Sequence, residues 1–89
     1  MRVARRYVLS GRVQGVGFRY FAVDAAAREG ISGWVRNLAD RRVEIAAEGE
    51  ADAVDRFERA IRQGPPHARV DEVDVTENVP SGAGGFTIR

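Results

Sequence analysis

The stretch that most constrains this chain is Ala51–Gln63. Val54, Phe57 and Ile61 fall at helical spacing on one face, while Asp52, Asp55, Arg56, Glu58, Arg59 and Arg62 cover the rest. Gly64, followed by Pro65 and Pro66, stops the helix firmly, because a glycine caps it and the prolines cannot extend it. Upstream, an alanine-rich run from Phe18 to Glu29 predicts a second helix, closed by Gly30. Neither helix can bury its apolar face alone, so both need a layer to pack on.

The rest of the chain supplies that layer as strands. Tyr7, Leu9, Gly11 and Val13 alternate with Val8, Ser10, Arg12 and Gln14, a half-buried strand that Gly15 and Gly17 break. A second strand is expected over 32–38, with Trp34 and Val35 among its packing candidates. A turn around Asp40–Arg41 returns the chain into a third strand, Val43–Glu48. A fourth covers Val70–Glu77, where Val73 and Val75 alternate with Asp74 and Thr76. A short last strand, Phe86–Arg89, follows the glycine-rich turn Ser81–Gly85. The order β-α-β-β-α-β plus a terminal strand predicts an α+β, ferredoxin-like sandwich: one antiparallel sheet with two helices on one face.

At 89 residues the chain accommodates one domain, 1–89, and no repeat, low-complexity tract or linker divides it. Apolar residues make up 44% of it, enough for a packed core. Cysteine is absent, which excludes disulfides and thiolate metal sites. No apolar run of signal-peptide or transmembrane length follows the basic N-terminus, so a cytoplasmic protein that does not engage membranes is expected. All fourteen cationic side chains are arginine, a usage that either genome base composition or heat tolerance can produce.

The net charge of +1 argues against a dedicated nucleic-acid binder, but the charge is uneven. Residues 1–45 hold nine arginines against four carboxylates, and residues 46–89 hold five against nine. A cleft in the positive half would favour a small anionic substrate, whereas solvated strand faces would give the same balance without a site.

Gly15-Val16-Gly17 lies between a strand and a helix, with Arg19 in the helix's first turn. Glycines let successive N–H groups converge into an anion nest, and the helix N-terminus adds unpaired donors and a favourable dipole. Arginine contributes a permanently charged fork that matches phosphoryl oxygens. The bland alternative is a tight turn beside a surface arginine. Neither common nucleotide motif fits: no Gly-Lys-Ser/Thr is present, and Tyr20 stands where a dinucleotide fingerprint needs glycine.

Gly11–Arg19 (GRVQGVGFR) and Gly33–Asn37 (GWVRN), in that order, resemble the active-site motifs of the acylphosphatase family, and the likeness extends over essentially the whole chain. The resemblance implies hydrolysis of acyl phosphates to carboxylate and inorganic phosphate. It implies that Arg19 binds the phosphate, that Asn37 positions the attacking water, and that the backbone of Gln14, Gly15, Val16, Gly17, Phe18 and Arg19 forms the cradle. It implies no metal and no cofactor. The expected partners are a small acyl phosphate and inorganic phosphate, as product and competitive inhibitor, acting on a monomer.

Two positions depart from the family pattern. Arg41 replaces the glycine of an Asp-Gly turn, so near the site entrance either the turn differs or it holds a non-glycine residue at positive φ. Glu29 stands where an apolar residue is usual, which suggests a trimmed core at that helix end. His67, in a Pro-Pro-His-Ala-Arg turn, reads as a solvated loop residue. Asp71, Glu72, Asp74 and Glu77 read as a solvated strand face rather than a cation site. Of Phe18, Tyr20 and Phe21, at least one is expected in the core. An RNA-recognition domain of similar order would need aromatics on its third strand, and Val43–Glu48 has none. A fragment of a carbamoyl-transferring maturation enzyme would continue into cysteine-rich zinc motifs, which are absent here.

Overall fold

In the computed structural model, which describes all 89 residues, the chain runs β1 (Arg2–Arg12), α1 (Phe18–Glu29), β2 (Ser32–Asn37), β3 (Val43–Glu50), α2 (Ala51–Gln63), β4 (Arg69–Asn78) and β5 (Phe86–Ile88). The strands form one sheet in the order β4-β1-β3-β2-β5. β1 pairs antiparallel with β3 and β4, and β3 pairs antiparallel with β2. This is the expected ferredoxin-like sandwich. The short terminal strand adds a parallel edge, Gly33 opposite Phe86, so the five-stranded sheet is mixed. Its direction follows from topology: residues 79–85 carry the chain from the β4 edge to the β2 edge, and β5 then runs back alongside β2.

One face of the sheet holds the core. Tyr7, Leu9, Val35, Val43 and Ile45 alternate inward and meet Val54, Phe57 and Ile61 of α2, all fully buried. On α1 the buried stripe is Phe18, Ala22, Ala25 and Ala26, spaced as one helical face. Phe57 packs at a tilt against Tyr7 and Phe86, with ring centroids 6.4 and 5.9 Å apart. Polar ties fix α2 to the sheet: Arg5 donates to Asp55 at 2.7 Å, and the Tyr7 hydroxyl to Glu58 at 3.1 Å. Glu29, which stands outside the core cluster, accepts from Arg56 at 2.8 Å and links the end of α1 to α2.

The other face carries two buried carboxylates. Glu44 lies between Arg36, which donates to it at 2.5 Å, and Arg6. Burial raises its pKa, but the hydrogen bonds from Arg36 and Arg6 outweigh that and hold it below the usual range. Glu48 accepts from the backbone N–H groups of Ser81 (2.8 Å) and Gly82 (2.7 Å) and from Arg2 (3.1 Å). It therefore pins residues 79–85 as they cross the sheet. Gly33 is the point where β5 joins. Its φ is 141°, and a Cβ there would lie 1.8 Å from the Ala46 carbonyl oxygen, so only glycine fits.

The two backbone donors at Ser81 and Gly82 hold the Glu48 pKa at about 2, against ~4.3 for an unfolded-chain glutamate. Its stabilisation is complete above ~pH 5 and is lost as the pH falls toward 2. Thermal melts should show Glu48→Gln less stable than wild type at pH 7, with the two converging as the pH drops through that window. An offset that stays constant from pH 7 to pH 2 would contradict the ion's role.

Candidate active site

The residues singled out from the sequence gather at one end of the sheet, opposite the 79–85 crossing. β1 ends there, and the chain reverses through Gly15 and Gly17, both left-handed with φ of 74° and 79°. Gly17 is the N-cap of α1, no side chain caps the helix, and its first turn contains no acidic residue. None of the backbone N–H groups from Gly15 to Tyr20 donates a hydrogen bond within the protein; the first bond of the helix is Phe21 to Gly17 at 3.0 Å. A row of unpaired donors therefore meets the positive end of a helix dipole.

Gln14, Gly15, Gly17, Phe18, Arg19 and Asn37 line one small depression of about 100 Å³, with Val13 and Tyr20 at its margin. Val16, also expected in the cradle, is not part of that lining; its side chain packs against the core. Arg19 is half-buried and forms no ion pair, and Asn37, at the exposed end of β2, pairs with Val43 in the sheet while its side-chain amide makes no hydrogen bond within the protein. Phe18 is the buried aromatic of its trio and Phe21 packs on it at 6.0 Å, while Tyr20 is 68% exposed at the mouth. His67 is exposed on its loop and lies on none of these surfaces, as expected. No group of three His, Cys, Asp or Glu side chains is placed to hold a metal ion.

One side-chain role was not foreseen. The family resemblance assigns Gln14 to the cradle through its backbone, and its side-chain amide in addition donates to both the Leu38 and Arg42 carbonyls at 2.9 Å. Leu38 N–H also bonds to the Arg42 carbonyl at 2.8 Å, so Gln14 fastens the 38–42 loop to the glycine turn. That bond fixes where β2 ends, and hence where Asn37 stands relative to the cradle. Only a register of β1 against the β2–β3 loop could have shown this beforehand. Within that loop Arg41 takes the second of the two alternatives, a non-glycine residue at a positive φ of 75°. Asp40 is held below its ordinary pKa, first by the Arg42 backbone N–H and then by its guanidinium at 2.7 Å.

Fold and site together define a ferredoxin-like domain with an uncapped helix N-terminus whose first N–H groups are unpaired within the protein, beside Arg19 and Asn37. The family model described as Acylphosphatase matches residues 5–88. An acylphosphatase of Rubrobacter xylanophilus is 56% identical over 94% of this chain and 77% of its own length. One of Anaeromyxobacter dehalogenans is 54% identical over 99% of this chain and 96% of its own. The crystal structure of acylphosphatase from Bacillus subtilis superposes with a TM-score of 0.95 at 42% identity, covering 98% of each chain. The chain belongs to the acylphosphatase family, and that membership supports acyl-phosphate hydrolysis as its chemistry. No helix is long and apolar enough to cross a membrane.

Gln14→Leu keeps the side chain's length but removes both donors. It should cost about 1–2 kcal/mol of stability and lower kcat more than it raises KM, since the cradle itself is intact. Urea unfolding with steady-state kinetics measures both. Stability and kcat both at wild-type values would show that Gln14 positions nothing.

Proposed function

We propose that this protein hydrolyses acyl phosphates without a metal, by in-line attack of a water held by Asn37 on a phosphoryl group bound by Arg19 and the backbone of residues 15–19. The observation that carries this reading is the run of N–H groups from Gly15 to Tyr20 that are unpaired within the protein, in a segment that lines the same depression as Arg19 and Asn37.

The chemistry suits such a site. An acyl phosphate departs as a carboxylate whose conjugate acid has a pKa near ~4, so the leaving group needs little help from a general acid. Water becomes acidic as it bonds to phosphorus, and a phosphoryl oxygen of the substrate can take its proton. What remains is positioning and charge stabilisation, the main contributions of protein to phosphoryl transfer. The N–H row and the Arg19 fork stabilise the equatorial oxygens, and the Asn37 amide, free of internal partners, orients the water. With no His, Cys or carboxylate pair in the depression, the site is poorly equipped for phosphate monoesters, whose alkoxides leave far less readily. Arg19 supplies the charge that a metal would otherwise provide. Inorganic phosphate, which retains the group that the cradle holds, should compete with substrate.

Benzoyl phosphate hydrolysis, followed by its ultraviolet change with excess chelator present, tests the function. Wild type should turn over unaffected by the chelator. Arg19→Lys should lose about 10²–10³-fold, because an ammonium cannot reproduce the bidentate fork. Asn37→Ala should lower kcat while leaving the phosphate inhibition constant close to wild type. No turnover by folded wild-type protein, or full activity in Arg19→Lys, would overturn the proposal.

A further inference from the structure

Beside the phosphate cradle lies a second, wider depression of about 430 Å³, lined by Gly11, Arg12, Val13, Gln14, Arg41 and Arg69. Val13 and Gln14 line both, so the two depressions are neighbours. Its three arginines differ in one respect. Arg69 is neutralised by Asp71, to which it donates twice, at 2.9 and 3.3 Å. Arg12 and Arg41 pair with no carboxylate and are exposed. In a chain where eight of the fourteen arginines form ion pairs, two free guanidiniums on one rim next to a phosphate cradle form a local positive site.

Arg41 carries a further mark. Its φ of 75° lies in the left-handed region, where a side chain is strained and glycine is relaxed. The turn is held by the Asp40–Arg42 pair and by the Gln14 bond to the Arg42 carbonyl, which fix Arg41 at the rim. Nothing in the packing needs its side chain, since it is exposed and bonds to no other residue.

We infer that Arg12 and Arg41 form a second anion subsite that receives the acyl end of the substrate, so that this enzyme favours acyl phosphates whose acyl group bears its own carboxylate or phosphate. The inference rests on the acyl-phosphatase reading and specifies its substrate class. The reach is suitable: Arg12 and Gly15 are three residues apart, so their Cα atoms are separated by at most ~11 Å. Two flexible guanidiniums can close on an anion carried a few bonds from the carbonyl carbon while the phosphoryl group sits on the N–H row.

The test compares kcat/KM for benzoyl phosphate, 3-carboxybenzoyl phosphate and 3-phosphonobenzoyl phosphate, which share a ring and a reacting group. Wild type should favour at least one of the charged substrates over benzoyl phosphate by about 5–10-fold. The double variant Arg12→Gln/Arg41→Gly should reduce that ratio to near one. Arg41→Gly relaxes the backbone and Arg12 is exposed, so both changes are compatible with folding. Arg59→Ala, which removes an unpaired charge from the outer face of α2, should leave the ratio at its wild-type value. A ratio near one in wild type, or one that survives the double variant, would overturn the subsite. A ratio that falls equally in Arg59→Ala would overturn it too, because net charge would then be the cause. Loss of benzoyl phosphate turnover in wild type would instead strike at the underlying hydrolase reading.

Discussion

The reversal at Gly15–Gly17 is the constraint on which the molecule depends. Two left-handed residues end β1 and start α1 within three positions. The turn delivers Phe18 directly into the core, so the helix is anchored at its first residue. The same geometry leaves the first turn of α1 uncapped, with its donors directed outward. In most helices that end is satisfied by a side chain or water. Here no side chain of the protein caps it, and in the proposed reading that end receives the phosphoryl group.

The rest of the architecture holds a few groups in register around that turn. The antiparallel pairing of β1 with β3 and β3 with β2 brings Asn37 to the end of the sheet where β1 stops. Gln14 then locks the 38–42 loop against the glycine turn. The opposite end is closed by a different device, the Glu48 carboxylate clasping the crossing segment. Closure at one end and an unpaired helix terminus at the other make the two ends of the small sheet unlike. The arginines follow this division: Arg2, Arg6 and Arg36 on the sheet's outer face are paired with carboxylates, while Arg12, Arg19 and Arg41 form no ion pair.

Much of this was legible in the sequence. Helix limits emerged at Phe18–Glu29 and Ala51–Gln63 because glycine and proline mark their ends chemically. Strand existence and order followed from period-two alternation. Two things were not legible, each for a physical reason. Alternation assigns Glu44 and Glu48 to a solvated face, and their burial depends on arginines 38 and 46 positions away and on the segment 79–85, which no local pattern encodes. The parallel entry of β5 likewise depends on that crossing. At the site, the residue types were legible and their convergence was not. Gln14 looks like an ordinary polar strand residue until the β2–β3 loop is placed beside it. Arg41 was readable as a departure at a turn, but its sharing of a rim with Arg12 required the fold.

The central claim is that a phosphoryl group is held by the unpaired backbone N–H groups of the glycine turn together with Arg19. Titrating ¹⁵N-labelled protein with inorganic phosphate, observed by amide NMR, reads those groups one at a time. The largest saturable shifts should fall on the amides of Gly15 through Tyr20, and the same titration of Arg19→Lys should need much more phosphate to saturate. Saturable shifts confined to another surface, with the Gly15–Tyr20 amides unmoved, would contradict the account.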